Sequence, residues 1–391
     1  MSGLLSDQFS TSWEELVNFD RLRKYRLSRV VSALKGEGLD AILVFKADNV
    51  RYVSSIRPLI WEAGYQTRNM VIADSRGNVS LFVASGDFQR VKENDPWLKD
   101  VKPLASLEDA GISSRVVEEQ FIPELRKMGL LGSRIGIDAT TLYTIDFLQK
   151  SLAKSGSTLE DGDEVMRKAR AVKSSDELRL LKASSAIVDA GVEAARGMLA
   201  AGKTENETAG RALRTMYALG TEWMPSNPVV FSGPPPFRRF ATGRPIEAGD
   251  RVVVELTAMN DGYCAGGSRT FIAGDAPVEG AADPELREAY GSVVKKLTPG
   301  TRLADLFATF RKWTHDAQAE ASLTLRGTGL SLTDYPHATD PESAGTATLS
   351  EGMVAVVEAR MTRLKKGVVQ VSDTVHISGT GPVFLTKFQE G

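Results

Sequence analysis

The segment VVVELTAMNDGYCAGGSRTF, at residues 252–271, has the pattern of a long β-hairpin. An alternating apolar run meets an Asn-Asp-Gly turn signal at 260–262, and a second strand follows. Strands of this outline can present two carboxylates to a divalent metal. Here one such position is Glu255, and the position eleven residues further on is Gly266. The segment therefore predicts two paired strands, and it raises the question of whether their site binds a metal.

The turn also predicts which side chains share a face of this hairpin. We take Asp261 and Gly262 as its two central residues. This register places Glu255 opposite Ser268, with Gly266 as the diagonal neighbour on the same face. The diagonal partner that would complete a carboxylate pair is therefore missing. A charge at Glu255, in mid-strand and among hydrophobic residues, would be costly without compensation.

A second carboxylate, Glu358, lies in the strand-like segment 353–361. Strand alternation puts Glu358 and Arg360 on the same face. Two residues along a strand span about 6.6 Å, so Arg360 can keep Glu358 ionised through a direct or water-bridged contact. A positive side chain in this position can substitute for a metal cation.

Composition excludes several classes of partner. The chain has 391 residues, enough for two domains, and a formal net charge of -2 that gives no electrostatic case for nucleic acid or an anionic membrane. It shows no secretory signal and no apolar run of membrane-spanning length. The single cysteine, Cys264, excludes an intrachain disulfide and suits a reducing compartment. We therefore expect a cytoplasmic protein with no nucleic-acid or membrane partner.

Hydrophobic periodicity divides the chain into two parts. Up to about residue 165, amphipathic helices alternate with short apolar strands, which predicts an α/β domain. An amphipathic helix that starts near Asp176 then leads into a strand-rich part. The strands predicted there are 228–232, 251–259, 263–272, 353–361 and 367–378, and the helices are 283–297 and 303–321.

Four segments are more specific than this periodicity. They are RAVKSSDELRLLKASSAIVDAG (170–191), FSGPPPFRRFATGRPIEAGDRVVVEL (231–256), RGTGLSLTDYPH (326–337) and LSEGMVAVVEARM (349–361). In this order they resemble the creatinase, aminopeptidase P and prolidase superfamily. The resemblance implies an α/β (α+β) fold with a creatinase-like N-terminal domain at 1–165. A C-terminal pita-bread catalytic domain is implied at 166–391.

The resemblance also implies where metal ligands would lie. Metallopeptidases of this superfamily bind two metals through two Asp, one His and two Glu side chains. The corresponding positions in this chain are Glu255, Gly266, Thr328, Glu358 and Ser372. Two separated carboxylates with no other ligands make a poor Zn or Mn site. We therefore predict that the protein binds no metal and needs no cofactor.

Further positions are predicted to contact a small-molecule substrate. A catalytic His of the superfamily falls on Arg238 or Arg239, and a second, substrate-contacting His falls on Tyr335. The loop at 54–69 is expected to close the site of the other subunit in a homodimer, using aromatic anchors. The complete predicted substrate-binding set is Arg238, Arg239, Thr328, Tyr335, His337, Arg360, Ser372, Trp61 and Tyr65.

The lost ligand positions lead to one main functional prediction. It is a metal-independent, creatinase-like hydrolase that cleaves a C–N bond in a small polar or zwitterionic, non-peptide molecule. Glu255 and Glu358 are predicted to carry its catalysis. One alternative is a metal-dependent Xaa-Pro aminopeptidase or dipeptidase, or a related lyase. The other is a non-catalytic pita-bread binding protein.

Overall fold

The computed structural model describes residues 17–58, 67–274, 278–279, 284–314, 319–363 and 367–388. They divide into two compact units: one is Asn18–Arg170, and the other comprises Val17 together with the described residues from Ala171 onward. The boundary predicted after residue 165 lies inside the helix Asp163–Ala171. Among the described residues, no helix is both long enough and apolar enough to cross a bilayer.

The first unit is built on a six-stranded mixed sheet. Its strands are β1 Ala41–Val44, β2 Met70–Asp74, β3 Val79–Ala84, β4 Val101–Leu104, β5 Arg134–Ile137 and β6 Thr158–Asp161, in the order β4-β3-β2-β1-β5-β6. Its helices are α1 Phe19–Glu37, α2 Ala47–Ser54, α3 Phe88–Asn94, α4 Ala110–Val116, α5 Ile122–Lys127, α6 Leu142–Ala153 and α7 Asp163–Ala171. A π-helical turn, Val117–Phe121, joins α4 to α5.

Local signals explain the bounds of these elements. The side chain of Asn18 caps α1 by accepting a hydrogen bond from the backbone N of Arg21 at 2.8 Å. The helix ends at Gly38, whose φ of 68° lies in the left-handed region that glycine adopts without strain. All four residues of β1 are buried, as expected for a central strand that is covered on both faces.

The second unit contains a nine-stranded antiparallel sheet. Its strands are β7 Val229–Ser232, β8 Arg251–Asn260, β9 Tyr263–Ile272, β10 Val278–Glu279, β11 Ala319–Gly327, β12 Asp334–Ala338, β13 Val354–Arg363, β14 Gly367–Ser378 and β15 Gly381–Phe384. The order is β12-β11-β13-β14-β9-β8-β7, with β10 on β9 and β15 on β14. Its helices are α8 Ser175–Arg196, α9 Glu205–Ala218, α10 Pro284–Val294, α11 Leu303–Arg311 and α12 Pro341–Ala344.

Two pairs of helices cover one face of this sheet. α8 and α9 pack against β8 in a core that includes Val188, Met216 and Leu256. α10 and α11 pack against β13 in a core that includes Phe307 and Val357. Because successive residues of a strand alternate between faces, the neighbours of Leu256 and Val357 project to the opposite side of the sheet. That side carries the polar residues described below.

The predicted hairpin is formed by β8 and β9. Asp261 has a φ of 44° and Gly262 a φ of 82°, the positive values that a type I′ turn requires. Glu255 pairs with Ser268, and Gly266 pairs with Thr257. The predicted register of the hairpin is therefore confirmed.

The helix predicted over 303–321 is wrong in its second half. The helix α11 ends at Arg311, and β11 begins at Ala319. In the segment AEASLTLRG, Leu323 and Leu325 are buried in the core beneath the helices. This period of two is that of a strand, and it places Arg326 on the other face.

Asp189, on α8, makes the stability of the second unit depend on pH. Its Oδ2 accepts a hydrogen bond from the backbone N of Lys387 at 2.7 Å. Burial raises the pKa of Asp189 to about 7; Asp373 acts in the same direction, while the Lys387 hydrogen bond and Arg269 oppose it. A carboxyl whose folded pKa is raised destabilises the fold fully above that pKa. The destabilisation disappears as pH falls to the ordinary value.

We expect Asp189→Asn to raise the free energy of unfolding by about 2 kcal/mol at pH 8, because the buried charge is removed. Near pH 4 the substitution should have little effect, because the folded carboxyl is already protonated. Chemical denaturation at both pH values measures the difference. As a control, Asp146→Asn on α6, whose half-exposed side chain pairs with Lys150, should change stability by less than about 0.5 kcal/mol. An equal effect of Asp189→Asn at both pH values would contradict the prediction.

Candidate active site

A row of polar residues crosses the sheet on the face opposite the helices. Cross-strand pairing joins Glu255 to Ser268, Ser268 to Ser372, and Ser372 to Glu358. The two glutamates are 5% and 2% exposed. Because paired residues project to the same face of a sheet, the row brings together two buried carboxylates that are distant in sequence.

Arg239 connects these two carboxylates. Its Nη1 donates to both oxygens of Glu255, at 3.2 and 3.3 Å, and its Nη2 donates to Oε1 of Glu358 at 3.0 Å. The planar fork of a guanidinium presents several donors at fixed angles, which suits it to such bridging. One cation therefore lies between the two carboxylates.

Two further arginines complete a group that we call the Arg–Glu cluster: Arg239, Arg326, Arg360, Glu255 and Glu358. Nη2 of Arg326, on β11, donates to Oε2 of Glu358 at 3.1 Å. Nη1 of Arg360, on β13, lies 3.9 Å from Oε1 of Glu358. The predicted contact between Arg360 and Glu358 is present, but Arg239 and Arg326 are closer to the carboxylate.

Gln370, on β14, supports the cluster from the side. Its Nε2 donates to Oε2 of Glu255 at 2.8 Å and to Oγ of Ser268 at 3.2 Å. The hydroxyl of Ser372 donates to Oγ of Ser268 at 2.9 Å. With the arginine contacts, all four carboxylate oxygens of the two glutamates accept at least one hydrogen bond.

The cluster shifts the pKa values of its members. Burial raises the pKa of Glu255, the charge of Glu358 acts in the same direction, and Arg239 opposes both. Burial by itself lowers the pKa of Arg239, but the two carboxylates raise it above its ordinary value. Burial lowers the pKa of Arg360, although a guanidinium remains charged in proteins. Three guanidiniums that stay charged therefore lie around two carboxyl groups, and Glu255 is the carboxyl that ionises less readily than usual.

Glu205, the first residue of α9, holds the loop that follows β7. It accepts hydrogen bonds from the backbone N and Oγ of Ser232, at 2.8 and 2.9 Å, and from those of Thr242, at 2.9 and 2.6 Å. Nη2 of Arg238 donates to both oxygens of Glu205, at 2.9 and 3.0 Å. The sequence did not decide between Arg238 and Arg239 for the position of the catalytic His. In the structure Arg239 contacts both Glu255 and Glu358, whereas Arg238 pairs with Glu205, and its contact with substrate stays a prediction.

The other predicted substrate-binding residues differ in their relation to the cluster. His337 pairs with Arg326 across β12 and β11, so the two side chains project to the same face of the sheet. Thr328 is fully buried, and its hydroxyl donates to a backbone carbonyl of β9 at 2.6 Å; its contact with substrate stays a prediction. Tyr335 packs against the hydrophobic core, and His337 is exposed on β12 near the edge of the sheet. Trp61 and Tyr65 lie outside the described residues. The homodimer, in which their loop is expected to close the site of the other subunit, stays a prediction.

Sequence reasoning missed Arg326, Gln370 and Glu205. The helix predicted through residue 321 hides β11, although the alternation of AEASLTLRG was the signal that could have revealed Arg326. Gln370 lies two residues before Ser372, so strand alternation places both on one face. Glu205 follows the helix cap Thr204, and no local pattern indicates that it is buried.

The dinuclear metal site implied by the resemblance does not fit the residues present. Gly266 has no side chain that could ligate a metal, although a Cβ added there would meet only ordinary van der Waals contacts, with Cγ2 of Thr257 at 3.4 Å and Cγ2 of Val356 at 3.6 Å. The hydroxyls of Thr328 and Ser372 are engaged in internal hydrogen bonds. Within the described ranges, no group of three or more His, Cys, Asp and Glu side chains could hold a metal ion.

Comparisons with known proteins add a family and a set of relatives. The profile "Metallopeptidase family M24" matches residues 179–379, and "Creatinase/Prolidase N-terminal domain" matches 26–172. The chain is 26% identical over 373 residues to the Xaa-Pro dipeptidase of Pyrococcus furiosus, covering 93% of this chain and 98% of that one. It is also 26% identical over 377 residues to the Xaa-Pro dipeptidase of Pyrococcus horikoshii, covering 93% and 97%.

A solved structure shows the same fold. The crystal structure of the prolidase from Pyrococcus horikoshii OT3 superimposes with a TM-score of 0.73 and 23% identity, over 93% of this chain and 98% of that one. At this level of identity, the similarity shows the fold and nothing about the reaction. The α/β fold with a creatinase-like domain and a pita-bread domain is therefore confirmed.

The comparisons contradict the main functional prediction, a metal-independent creatinase-like hydrolase of a non-peptide molecule. The matching profile describes metallopeptidases, and relatives are named as Xaa-Pro dipeptidases. They favour the first alternative instead. The error has a physical reason. The residues at the metal-ligand positions determine whether a metal can bind, but the prediction used them to infer which bond of the substrate is cleaved.

Proposed function

The chain belongs to metallopeptidase family M24, and from this premise we propose that it is a hydrolase acting on short peptides of the Xaa-Pro class. The observation that carries the proposal is the row from Glu255 to Glu358. It keeps two carboxylates on one face of the domain that the peptidase profile matches. The names of the relatives support the substrate class.

The residues of the Arg–Glu cluster are suited to binding and orienting a peptide. Oε1 of Gln370 is buried and has no hydrogen-bond partner among the described residues, so it can accept from a peptide N–H or an ammonium group. Glu255 is the group suited to hold or move a proton, because burial raises its pKa. The residues at the five ligand positions do not fit a pair of metal ions. The geometric support for peptide binding therefore comes from Gln370 and Glu255.

One observation favours a second candidate function, a peptide-binding protein without turnover. Three of the five ligand positions carry Gly266, Thr328 and Ser372, and a guanidinium lies between the two remaining carboxylates. Such a site keeps the means to bind a peptide while lacking three of the five metal ligands that the resemblance implies. Binding and turnover must therefore be measured separately.

The test uses the purified full chain with glycyl-proline and alanyl-proline, and with prolyl-glycine as the reversed-sequence control. Each peptide is offered with Mn²⁺, with Co²⁺ and with a chelator. Calorimetry measures binding, and mass spectrometry measures the release of free proline. We expect both Xaa-Pro peptides to bind and to release proline. Because Glu358→Gln changes the charge of the cluster, we expect it to slow release at least about tenfold.

The outcomes separate the two candidates. Binding without release of proline would support the peptide-binding protein and contradict the hydrolase. An Xaa-Pro peptide that neither binds nor is cleaved, with any of the additions, would contradict both. Cleavage of prolyl-glycine at the same rate would contradict the substrate class.

A further inference from the structure

We infer that the Arg–Glu cluster is a carboxylate-binding site in which Arg239 occupies the place between Glu255 and Glu358 that a metal would need. Arg326 and Arg360 receive the negative group of the ligand. The inference rests on the proposed function for the identity of that ligand, a short peptide, and assigns its C-terminal carboxylate to this pair of arginines. The site therefore binds an anion, whereas a site built from metal ligands would bind a metal cation.

The charges of the cluster do not balance. Arg239, Arg326 and Arg360 contribute three positive charges, and Glu255 and Glu358 contribute at most two negative ones, so the net charge is at least +1. The carboxylates are 6% and 2% exposed, whereas the three arginine side chains are 49%, 21% and 23% exposed. Within the cluster, the side chains that solvent and ligand can reach are therefore the arginines, while Glu320, an exposed carboxylate of β11, adds a negative charge that acts on Arg360. The arginine donors are the groups of the cluster that an anion would contact.

Two of the arginines have donor capacity left over. Nε of Arg326 is buried and has no hydrogen-bond partner in the described part of the chain. Nη1 of Arg360 lies 3.9 Å from Oε1 of Glu358, which is longer than a hydrogen bond. A guanidinium prefers a carboxylate, whose two oxygens accept from paired N–H groups. Arg326 and Arg360 together offer a carboxylate ligand the donors that the protein leaves unused.

For a divalent cation, in contrast, the cluster leaves no carboxylate oxygen without a hydrogen-bond donor. All four oxygens of Glu255 and Glu358 already accept hydrogen bonds, from Arg239, Arg326 and Gln370. A metal would have to displace the Arg239 guanidinium and then lie beside two more positive groups. Two carboxylates without further ligands do not offset that repulsion.

An aromatic ring holds the arginines in place before a ligand arrives. The guanidiniums of Arg360 and Arg239 lie 4.9 and 5.8 Å from the ring centroid of Phe237. Phe237 packs edge-to-face against the buried Phe231, with centroids 5.1 Å apart. Side chains that are already ordered lose less conformational freedom on binding, which favours tight recognition.

The experiment compares glycyl-proline with glycyl-prolinamide, the same peptide without the terminal charge, by calorimetry on the full chain. We expect the free acid to bind about 30-fold more tightly than the amide, and Arg360→Gln to abolish this preference. Arg360→Lys, which keeps the charge but not the fork, should retain part of it. The matched control is Arg363→Gln, on the same strand but paired with Glu285 at 2.6 Å, and it should bind like the unmodified protein.

A second set of probes separates this inference from the proposed function. Benzoate and benzamide are compared by thermal shift, with and without Arg360→Gln. If peptides fail to bind but benzoate alone stabilises the protein through Arg360, the carboxylate site stands and the proposed function falls. Equal affinity for glycyl-proline and its amide would overturn the carboxylate site while leaving the peptide substrate class intact. Binding of neither peptides nor benzoate, or stoichiometric Mn²⁺ binding that Glu358→Gln removes, would also overturn it.

Discussion

Replacing Arg239 with methionine should lower the free energy of unfolding by about 3 kcal/mol at pH 8, because two buried carboxylates lose the cation between them. The effect should shrink as the pH falls. The pKa of Glu255 is already raised by burial, and removing a cation raises it further. A carboxyl with a raised folded pKa destabilises the fold above that pKa and ceases to do so near its ordinary value. Denaturant unfolding at pH 8 and pH 5 measures both quantities.

A double variant provides the control. Glu255→Gln removes one of the two charges that Arg239 compensates, so Arg239→Met combined with Glu255→Gln should recover more than half of the lost stability. The two substitutions touch the same hydrogen bonds and should therefore be strongly non-additive. Additive effects, or a loss below about 0.5 kcal/mol in Arg239→Met alone, would show that the bridge contributes little to stability.

Removing the carboxylate of Glu205 should cost more. Glu205→Ala is expected to lower the free energy of unfolding by about 4 kcal/mol, because it leaves Arg238 and four donors of Ser232 and Thr242 without their acceptor. The loop that carries Arg239 should loosen with it. Hydrogen exchange at the amides of Ser232 and Thr242 reports that loosening residue by residue.

The control for this prediction lies one residue along the same helix. Asn206 is exposed, and its backbone N, which bonds to Thr242, is kept in Asn206→Ala. That variant should change stability by less than about 0.5 kcal/mol. The loss of stability in Glu205→Gln should lie between those of Glu205→Ala and Asn206→Ala, because glutamine keeps an acceptor oxygen and loses the charge. Glu205→Ala with unchanged exchange at both amides would refute the proposed anchoring role.

Part of the candidate site is determined by sequence, because strand geometry is local. A two-residue turn sets the register of its two strands, so Asp261 and Gly262 are enough to place Glu255 opposite Ser268. The period of two likewise places Glu358 and Arg360 on one face without knowledge of anything beyond their strand. The four motif segments extend this to the whole fold, and the family match confirms them.

The missed strand β11 shows where local patterns become ambiguous. The helix α11 ends at Arg311 and the alternation of β11 begins at Ala319, and a sequence window that spans both favours the longer element. The register of β11 with β13 is decided by which strands meet in the sheet, and it is this pairing that places Arg326 opposite Val356, close to Glu358. The alternation of its own segment therefore indicates the face on which Arg326 lies, whereas its contact with Glu358 depends on this pairing.

The sequence by itself determined the fold, the pairing of Glu255 with Ser268 and the common face of Glu358 and Arg360. Only the tertiary structure joined the two carboxylates in one row through Ser268 and Ser372, and decided which cation lies between them. Arg238 and Arg239 are adjacent and chemically identical, and they are distinguished by the path of their loop, which Glu205 holds at Ser232 and Thr242. An arginine side chain has many rotamers and a long reach, so its partner depends on long-range packing. Strand alternation, in contrast, follows from the backbone of each residue and its immediate neighbours.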